Sequence, residues 1–308
     1  MIYPNNKRYL TLDHFLKSTF GCKVAKVSLN AGFSCPNRDG TKSHGGCIYC
    51  SPLASGDFAG NSSESITKQF HEIKSKMAEK WRDAKFLPYF QAGTNTYAPL
   101  CVLRSVYEEA LSIPDIVGIS IATRPDCIPD DVLALLTEIS QKTFLTVELG
   151  LQSVFDKTGD LINRHTTFSE FCDTYERLKN AGINVCVHLI NGLPGEDRDM
   201  MMESVRVISK MKPHSVKLHL LHILKDTVCE KMYYDGKIKC FELDEYVNLI
   251  CDQLEILHPD TVVQRITGDG ARDSLIAPLW SIKKFNVING VDRELARRSS
   301  YQGIYYRD

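Results

Sequence analysis

From Lys23 to about Leu220, short apolar and β-branched runs alternate with longer stretches whose apolar positions recur at helical spacing. The short runs are Val24–Leu29, Phe86–Phe90, Val117–Ile121, Phe144–Leu149, Val185–Ile190 and Val216–Leu220. Several lack the polar alternation of a half-exposed strand, which predicts strands covered on both faces and hence a parallel sheet. Between them, Ile66, Phe70, Ile73 and Met77 recur at spacings of four, three and four, predicting an amphipathic helix that starts after Ser62 and Ser63. Thr167 and Glu170 form a capping box for a helix through Leu178, with Gly182 at its stop. A further helix spans Asp197 to Lys212 and is closed by Pro213. Six strands, five followed by a helix, leave a doubly wound sheet or a barrel under the right-handed crossover rule. A full barrel needs eight such units, so the expectation is α/β with a partial (β/α)6 barrel.

Beyond Ile223 the alternation stops. A helix at Leu243–Leu257, a strand at Val262–Ile266 and a loop at Gly268–Gly270 predict a small α+β C-terminal extension. The expected organisation is an N-terminal arm over 1–22, a core over 23–223 and a C-terminal subdomain over 224–308.

Composition changes this picture little: 43% hydrophobic and 24% charged residues exclude wholesale disorder. No apolar run approaches the roughly 20 residues that span a bilayer, so no membrane association is expected. Asn5, Asn6, Lys7 and Arg8 stand where a signal peptide needs an apolar block, which predicts a cytoplasmic chain with reduced thiols.

Eleven cysteines make the thiols worth separating. Three lie directly after the first strand, in Cys35-Pro-Asn-Arg-Asp-Gly-Thr-Lys-Ser-His-Gly-Gly-Cys47-Ile-Tyr-Cys50. Three thiolates on one loop suit a metal site with an open fourth position. His44 would complete a Cys3His zinc site; an iron–sulfur cluster with one free iron is the other reading, and spacing leaves both open. None of the other eight cysteines forms a second C-x-x-C, so they read as small buried apolar residues. Cys127, two residues after Pro125 at a strand end, is the one further candidate for a functional, catalytic thiol.

The strand ends carry more. Gln91-Ala-Gly93-Thr94-Asn-Thr96 follows the second strand, and Gly93 lets the backbone approach a ligand closely. Ala122-Thr-Arg124-Pro-Asp126, Glu148-Leu-Gly-Leu-Gln152-Ser153, Asn163-Arg164-His165, and His188 with Asn191-Gly-Leu-Pro-Gly195 follow in order. Taken singly, each has a plain structural use: turns for the glycines, ion pairs for Arg124 and Arg164, a core histidine for His188. Together they fall at the C-terminal ends of strands, at the same mouth as the cysteine loop.

The C-x11-C-x2-C spacing, with Tyr49 before the last cysteine, resembles the radical S-adenosylmethionine (SAM) superfamily, and the later motifs follow over nearly the whole chain. Within it the chain is similar to the branch related to the elongator catalytic subunit and to the YhcC/YtqA (MnmL) family. The resemblance implies a [4Fe–4S] cluster on Cys35, Cys47 and Cys50, and SAM bound on its fourth iron. It places Gly93 and Thr94 in the segment facing the SAM amino group, although the usual glycine-rich loop is reduced here to one glycine. It matches Gln152 and Arg164 to positions holding the methionine carboxylate and ribose, and puts Tyr49, Arg124, Glu148 and His188 around the cofactors. It implies reduction by a flavodoxin- or ferredoxin-type donor, cleavage of SAM to methionine and a 5′-deoxyadenosyl radical, and hydrogen abstraction from substrate.

For substrate, the resemblance implies tRNA: removal of the carboxymethyl group from wobble 5-carboxymethylaminomethyl-(2-thio)uridine, leaving the 5-aminomethyl form for a downstream tRNA methyltransferase. A small-molecule substrate such as a porphyrin precursor, or a non-enzymatic iron–sulfur or zinc protein that binds RNA, are the competing expectations. Charge distribution bears on this. Net charge is −1, yet residues 1–50 hold seven Lys/Arg against two acids, and residues 281–308 hold six against three. If the ends meet, Lys283, Lys284, Arg293, Arg297 and Arg298, with Lys7, Arg8, Lys17, Lys23 and Lys26, are expected to track tRNA phosphates.

Overall fold

All six apolar runs form strands, because only a ladder on both edges and helices on one face satisfy chain so uniformly apolar. The computed structural model describes residues 2–54, 56–268, 270 and 272–308. In chain order its elements are α1 (Leu12–Phe20), β1 (Val24–Leu29), α2 (Ile66–Lys76), β2 (Lys85–Phe90), α3 (Leu100–Ser112), β3 (Gly118–Thr123), α4 (Asp130–Lys142) and β4 (Phe144–Gln152). There follow α5 (Asp156–Leu161), α6 (Phe168–Asn180), β5 (Asn184–Asn191), α7 (Arg198–Met211), β6 (Ser215–Leu220), β7 (Ile223–Leu224), α8 (Val228–Tyr234), α9 (Leu243–Ile256), β8 (Val262–Arg265), β9 (Leu275–Ala277) and α10 (Lys284–Arg297).

The main sheet is parallel throughout, in the order β1-β2-β3-β4-β5-β6-β8. That is the expected partial barrel, with one strand more than six. The strand expected in a separate C-terminal subdomain, Val262–Arg265, instead pairs with β6, and Val262 N–H donates to His214 O at 3.0 Å. Its physical reason is the free edge of β6, whose ladder groups need partners, with α9 supplying the crossover. The helix after β1 also begins later than expected: Ser65, not Ser62 or Ser63, caps Ile66–Lys76 by accepting from Lys68 N–H. Thr167 and Glu170 do form the capping box of α6, and Lys212 ends α7 in a left-handed conformation. Of the Gly268–Gly270 loop, Asp269 lies outside the described residues.

Strand alternation decides what the barrel holds. On β4, Leu145, Val147, Leu149 and Leu151 pack outward in the main core, so Thr146, Glu148, Gly150 and Gln152 face the lumen. At the N-terminal end of the sheet, α1 closes the lumen: Phe15 sits 5.0 Å from the His214 ring, and Phe20 sits 5.6 Å from that of Phe144. The opposite end is the mouth. A second apolar cluster stands there, built from Ile48, Ile162, Leu193, Leu221, Ile223, Cys229 and neighbours, with the β7–β9 pair as part of it.

Candidate cofactor site

The cysteine loop leaves β1 and is folded by its own polar groups. Cys35 O accepts from Arg38 and Asp39 N–H, Pro36 O from Lys42 N–H at 2.8 Å, and Asn37 O from Gly46 N–H at 2.8 Å. Arg38 donates to Pro52 O and Ser51 O, so its guanidinium straps the far end of the loop. Ile48 is the loop's apolar anchor; its carbonyl accepts from Cys229 N–H at 3.0 Å and its N–H donates to Ile162 O.

Two other segments hold this loop in place. Asn163 donates to Gly46 O at 2.8 Å, while Asn37 donates back to Asn163 O and also approaches Cys47 Sγ at 3.5 Å. Asn163 and His165 both have positive φ, near +56° and +54°, a conformation that the short polar side chain of Asn tolerates best. Gly93 does the same work from the β2 side. Its φ is +74°, its N–H donates to Ala54 O, and a Cβ there would stand 2.3 Å from Phe33 O. The close approach that Gly93 makes here is to the protein backbone two residues before Cys35, where the expectation was a ligand. Thr94, buried, donates its N–H to Ser34 O at 3.1 Å.

Two readings of the thiols can be tested on this geometry. Zinc bound at about 2.3 Å by each thiolate needs sulfurs roughly 4 Å apart. Among the described residues, only Glu148, Cys186 and His188 bring three such ligand atoms within 4.8 Å of one another; Cys35, Cys47 and Cys50 are spread more widely. His44 is exposed and lies with its ring over Gly40, not as a fourth ligand. With no fourth protein ligand beside them among the described residues, the three thiols suit a cluster that keeps one iron open. Burial pushes the Cys47 thiol up, while the Tyr49 hydroxyl that hydrogen-bonds it and the nearby Arg124 pull it down.

The arginines are engaged. Arg124 makes a two-pronged pair with Asp126 at 2.9 and 3.0 Å and reaches Thr166 Oγ1 at 2.6 Å. Arg164 is 3% exposed, and its guanidinium donates to Thr166 O, Leu151 O and Ser153 O. It braces the chain between β4 and the Asn163 clamp, and its charge is felt at Tyr49. Gln152 sits at a bulge in β4 with φ +66°, its amide folded over Gly150 at the lumen wall. Cys127 does not present a reactive thiol. It is 6% exposed, and burial, then the Asp126 carboxylate, push it up to about 12.

Glu148 and His188 are apart from the loop, in a cluster that the sequence reading missed. Glu148 is fully buried and accepts from Lys26, Lys217 and Ser120, and pairs with His188 Nε2 at 2.8 Å. Lys217 also donates to Tyr89 OH at 3.1 Å, Lys26 to Gln264 at 2.8 Å, and the His188 and His219 rings stand 5.2 Å apart. Burial raises the Glu148 carboxyl, but Lys217 and Lys26 outweigh it and hold it well below its usual range. Burial draws Lys217 down to about 8, opposed by Glu148. A divalent ion at Glu148, Cys186 and His188 would have to displace both ammonium groups. Lys26 is therefore a lumen residue and not part of a surface RNA stripe, as alternation along β1 requires.

Burial and a nearby lysine hold His188 and His214 neutral down to about 4. Once unfolded, both take up protons near 6.5, so the stability of their neutral forms is complete above that pH and is lost as pH falls toward 4. Unfolding free energies from urea titrations at pH 6.5 and pH 5 should differ by about 1.6 kcal/mol per histidine. Equal free energies would remove both from the buried neutral class.

The chain ends do meet. Lys7 pairs with Asp292, Gln302 N–H donates to Arg8 O, and Leu10 N–H donates to Gln302 Oε1. Few of their cations stay available. Arg298 is locked between α9 and α10 by Asp252, Glu255, Glu294 and Asn248, which takes it off an RNA surface. Arg297 pairs with Glu294 yet is 72% exposed, and Lys283 and Arg293 are exposed.

The Radical SAM superfamily profile matches residues 37–208, and the Radical_SAM C-terminal domain matches 213–297. The chain is 52% identical to YtqA of Bacillus subtilis over 99% of this chain and 95% of that protein. It is 37% identical to YhcC of Escherichia coli over 91% and 90% of the two. The structure of the archaeal Methanocaldococcus infernus Elp3 superposes with a TM-score of 0.68 at 18% identity, over 91% of this chain and 64% of that one. Proteins of this superfamily use a [4Fe–4S] cluster and SAM, which the three spread thiols suit. A parallel partial barrel with three loop cysteines at its mouth, matched along its length by both profiles, places the chain in the radical SAM superfamily, in the Elp3-like branch of YtqA and YhcC.

Proposed function

We propose that this radical SAM enzyme acts on tRNA, converting wobble 5-carboxymethylaminomethyl-(2-thio)uridine to the 5-aminomethyl form. The observation that carries the reading is full-length likeness to the YtqA and YhcC proteins in the branch that includes Elp3. In it, Cys35, Cys47 and Cys50 hold the cluster. Tyr49, Gly93, Thr94, Arg124, Gln152 and Arg164 shape or brace the SAM site beside it. Bound there, the cluster and SAM supply one-electron cleavage and hydrogen abstraction, fed by a flavodoxin- or ferredoxin-type donor. The chain's own contribution is to fix the thiols through Asn37, Arg38 and Asn163, and to close the far end of the barrel with α1, which excludes water from below.

Lys283, Lys284, Arg293 and Arg297 lie on or next to α10, near the exposed apolar Leu279 and Phe285, and offer phosphate and base contacts. A cytoplasmic location and a later tRNA methyltransferase belong to the same reading; no described helix is long and apolar enough to cross a membrane. Nucleosides from bulk tRNA of a deletion strain test it. Accumulated carboxymethylaminomethyl derivatives with loss of aminomethyl-derived ones are expected, and an unchanged nucleoside profile overturns the reading.

A further inference from the structure

The lumen floor carries unequal charge. Two ammonium groups, Lys26 and Lys217, converge on one carboxylate, Glu148, and among the described residues no other carboxylate pairs with either. The neighbouring imidazoles add no further positive charge, because burial keeps His188 and His219 uncharged near neutral pH. A buried excess cation is costly, and proteins tolerate one where a ligand of opposite sign completes it.

The surroundings point to a ligand arriving from the mouth. Below the cluster α1 seals the barrel with Phe15 and Phe20. One step toward the mouth, the lumen-facing residues of β1, β3 and β4 are Ser28, Ala122 and Gly150, all small and all partly exposed. Lys26 and His188 keep 18% and 17% of their side-chain surface exposed, so the cationic floor is reachable by solvent. Both lysines are held in place from the side: Lys217 by Tyr89 OH, Lys26 by Gln264, which is itself tied to Ser215 Oγ at 2.8 Å. Such bracing suits a positioned anion subsite better than a mobile surface lysine.

We propose that Lys26 and Lys217 form a carboxylate subsite on the barrel floor that selects substrates bearing a carboxylate at the end of a short side chain. The proposal rests on the tRNA reading above, in which that carboxylate is the carboxymethyl group of the wobble base. Removal of the group then also removes what the floor holds, so product leaves more readily than substrate.

The test uses full-length, anaerobically reconstituted protein and two anticodon stem-loop RNAs, identical except for 5-carboxymethylaminomethyluridine or 5-aminomethyluridine at the wobble position. The wild type should bind the first about tenfold or more tighter than the second. Lys217→Met and Lys26→Met should each bring that ratio toward one, and Lys217→Arg should keep most of it. Each methionine variant leaves Glu148 one ammonium partner, and far-UV circular dichroism with iron content confirms folding before comparison. A ratio unchanged in both methionine variants, or no preference in the wild type, overturns the inference. Loss of SAM affinity by the same factor as RNA affinity also overturns it, since the lysines would then hold the cofactor's own carboxylate. A wild type that binds neither RNA and modifies none overturns the tRNA reading itself.

Discussion

Replacing any one of Cys35, Cys47 or Cys50 by alanine should abolish 5′-deoxyadenosine formation from SAM. Perturbing groups around a metal ligand commonly costs 10–100-fold, so losing a ligand should exceed a hundredfold. The fold should survive, because the loop is anchored by backbone pairs at Pro36, Asn37 and Ile48 and by the Asn163 clamp, none of which needs the thiols. Anaerobic reconstitution should load about four irons on the wild type and far fewer on each variant. Cys101, exposed on α3 and outside the C-x11-C-x2-C motif, gives the control: Cys101→Ala should load iron as the wild type does. Full iron loading of the three loop variants would falsify the assignment of the ligands.

Glu148→Gln should be among the most destabilising single changes in the chain. The amide is nearly isosteric, yet it leaves Lys26 and Lys217 buried with no countercharge. Breaking a buried pair from one side costs about 3–5 kcal/mol. Urea unfolding should show this as a large fall in midpoint with the slope nearly unchanged. Adding Lys217→Met should recover part of the loss, since it removes one of the two stranded cations. If Glu148→Gln is neutral, or if the second change adds to the loss, Glu148 is not the countercharge that holds Lys26 and Lys217 on the floor.

Sequence pattern carried most of the architecture because burial of both sheet faces leaves an unmistakable mark. Unbroken apolar runs can be little else in a chain of this size, and β1 has the bounds that its pattern predicts. The seventh strand was misplaced for a physical reason. Val262–Arg265 is short, only two of its residues are buried, and pairing at an edge is decided by a neighbour far away in sequence. The three loop cysteines were legible from spacing, which left zinc and a cluster open; the family resemblance implied the cluster, and the superfamily match bears it out. Lys217 and Lys26 illustrate a different limit. Each sits among apolar residues in a strand whose few polar positions alternate, and a lysine on paper looks solvated; the inward parity of Val216-Lys217-Leu218, set against Glu148 in a similarly patterned run, was the signal that could have paired them. The basic ends were countable, but which cations remain free depends on Asp252, Asp292 and Glu294, whose positions follow from helix packing.

Ile48 joins the cysteine loop to the β7–β9 pair and α8 through one apolar cluster. Loop and C-terminal segment therefore rise and fall in stability together, and the coupling is reciprocal. Whatever free energy ordering of the loop gives to cofactor loading is returned as firmer docking of residues after Ile223. A substrate that presses on that docked segment is, in turn, felt two residues from Cys50.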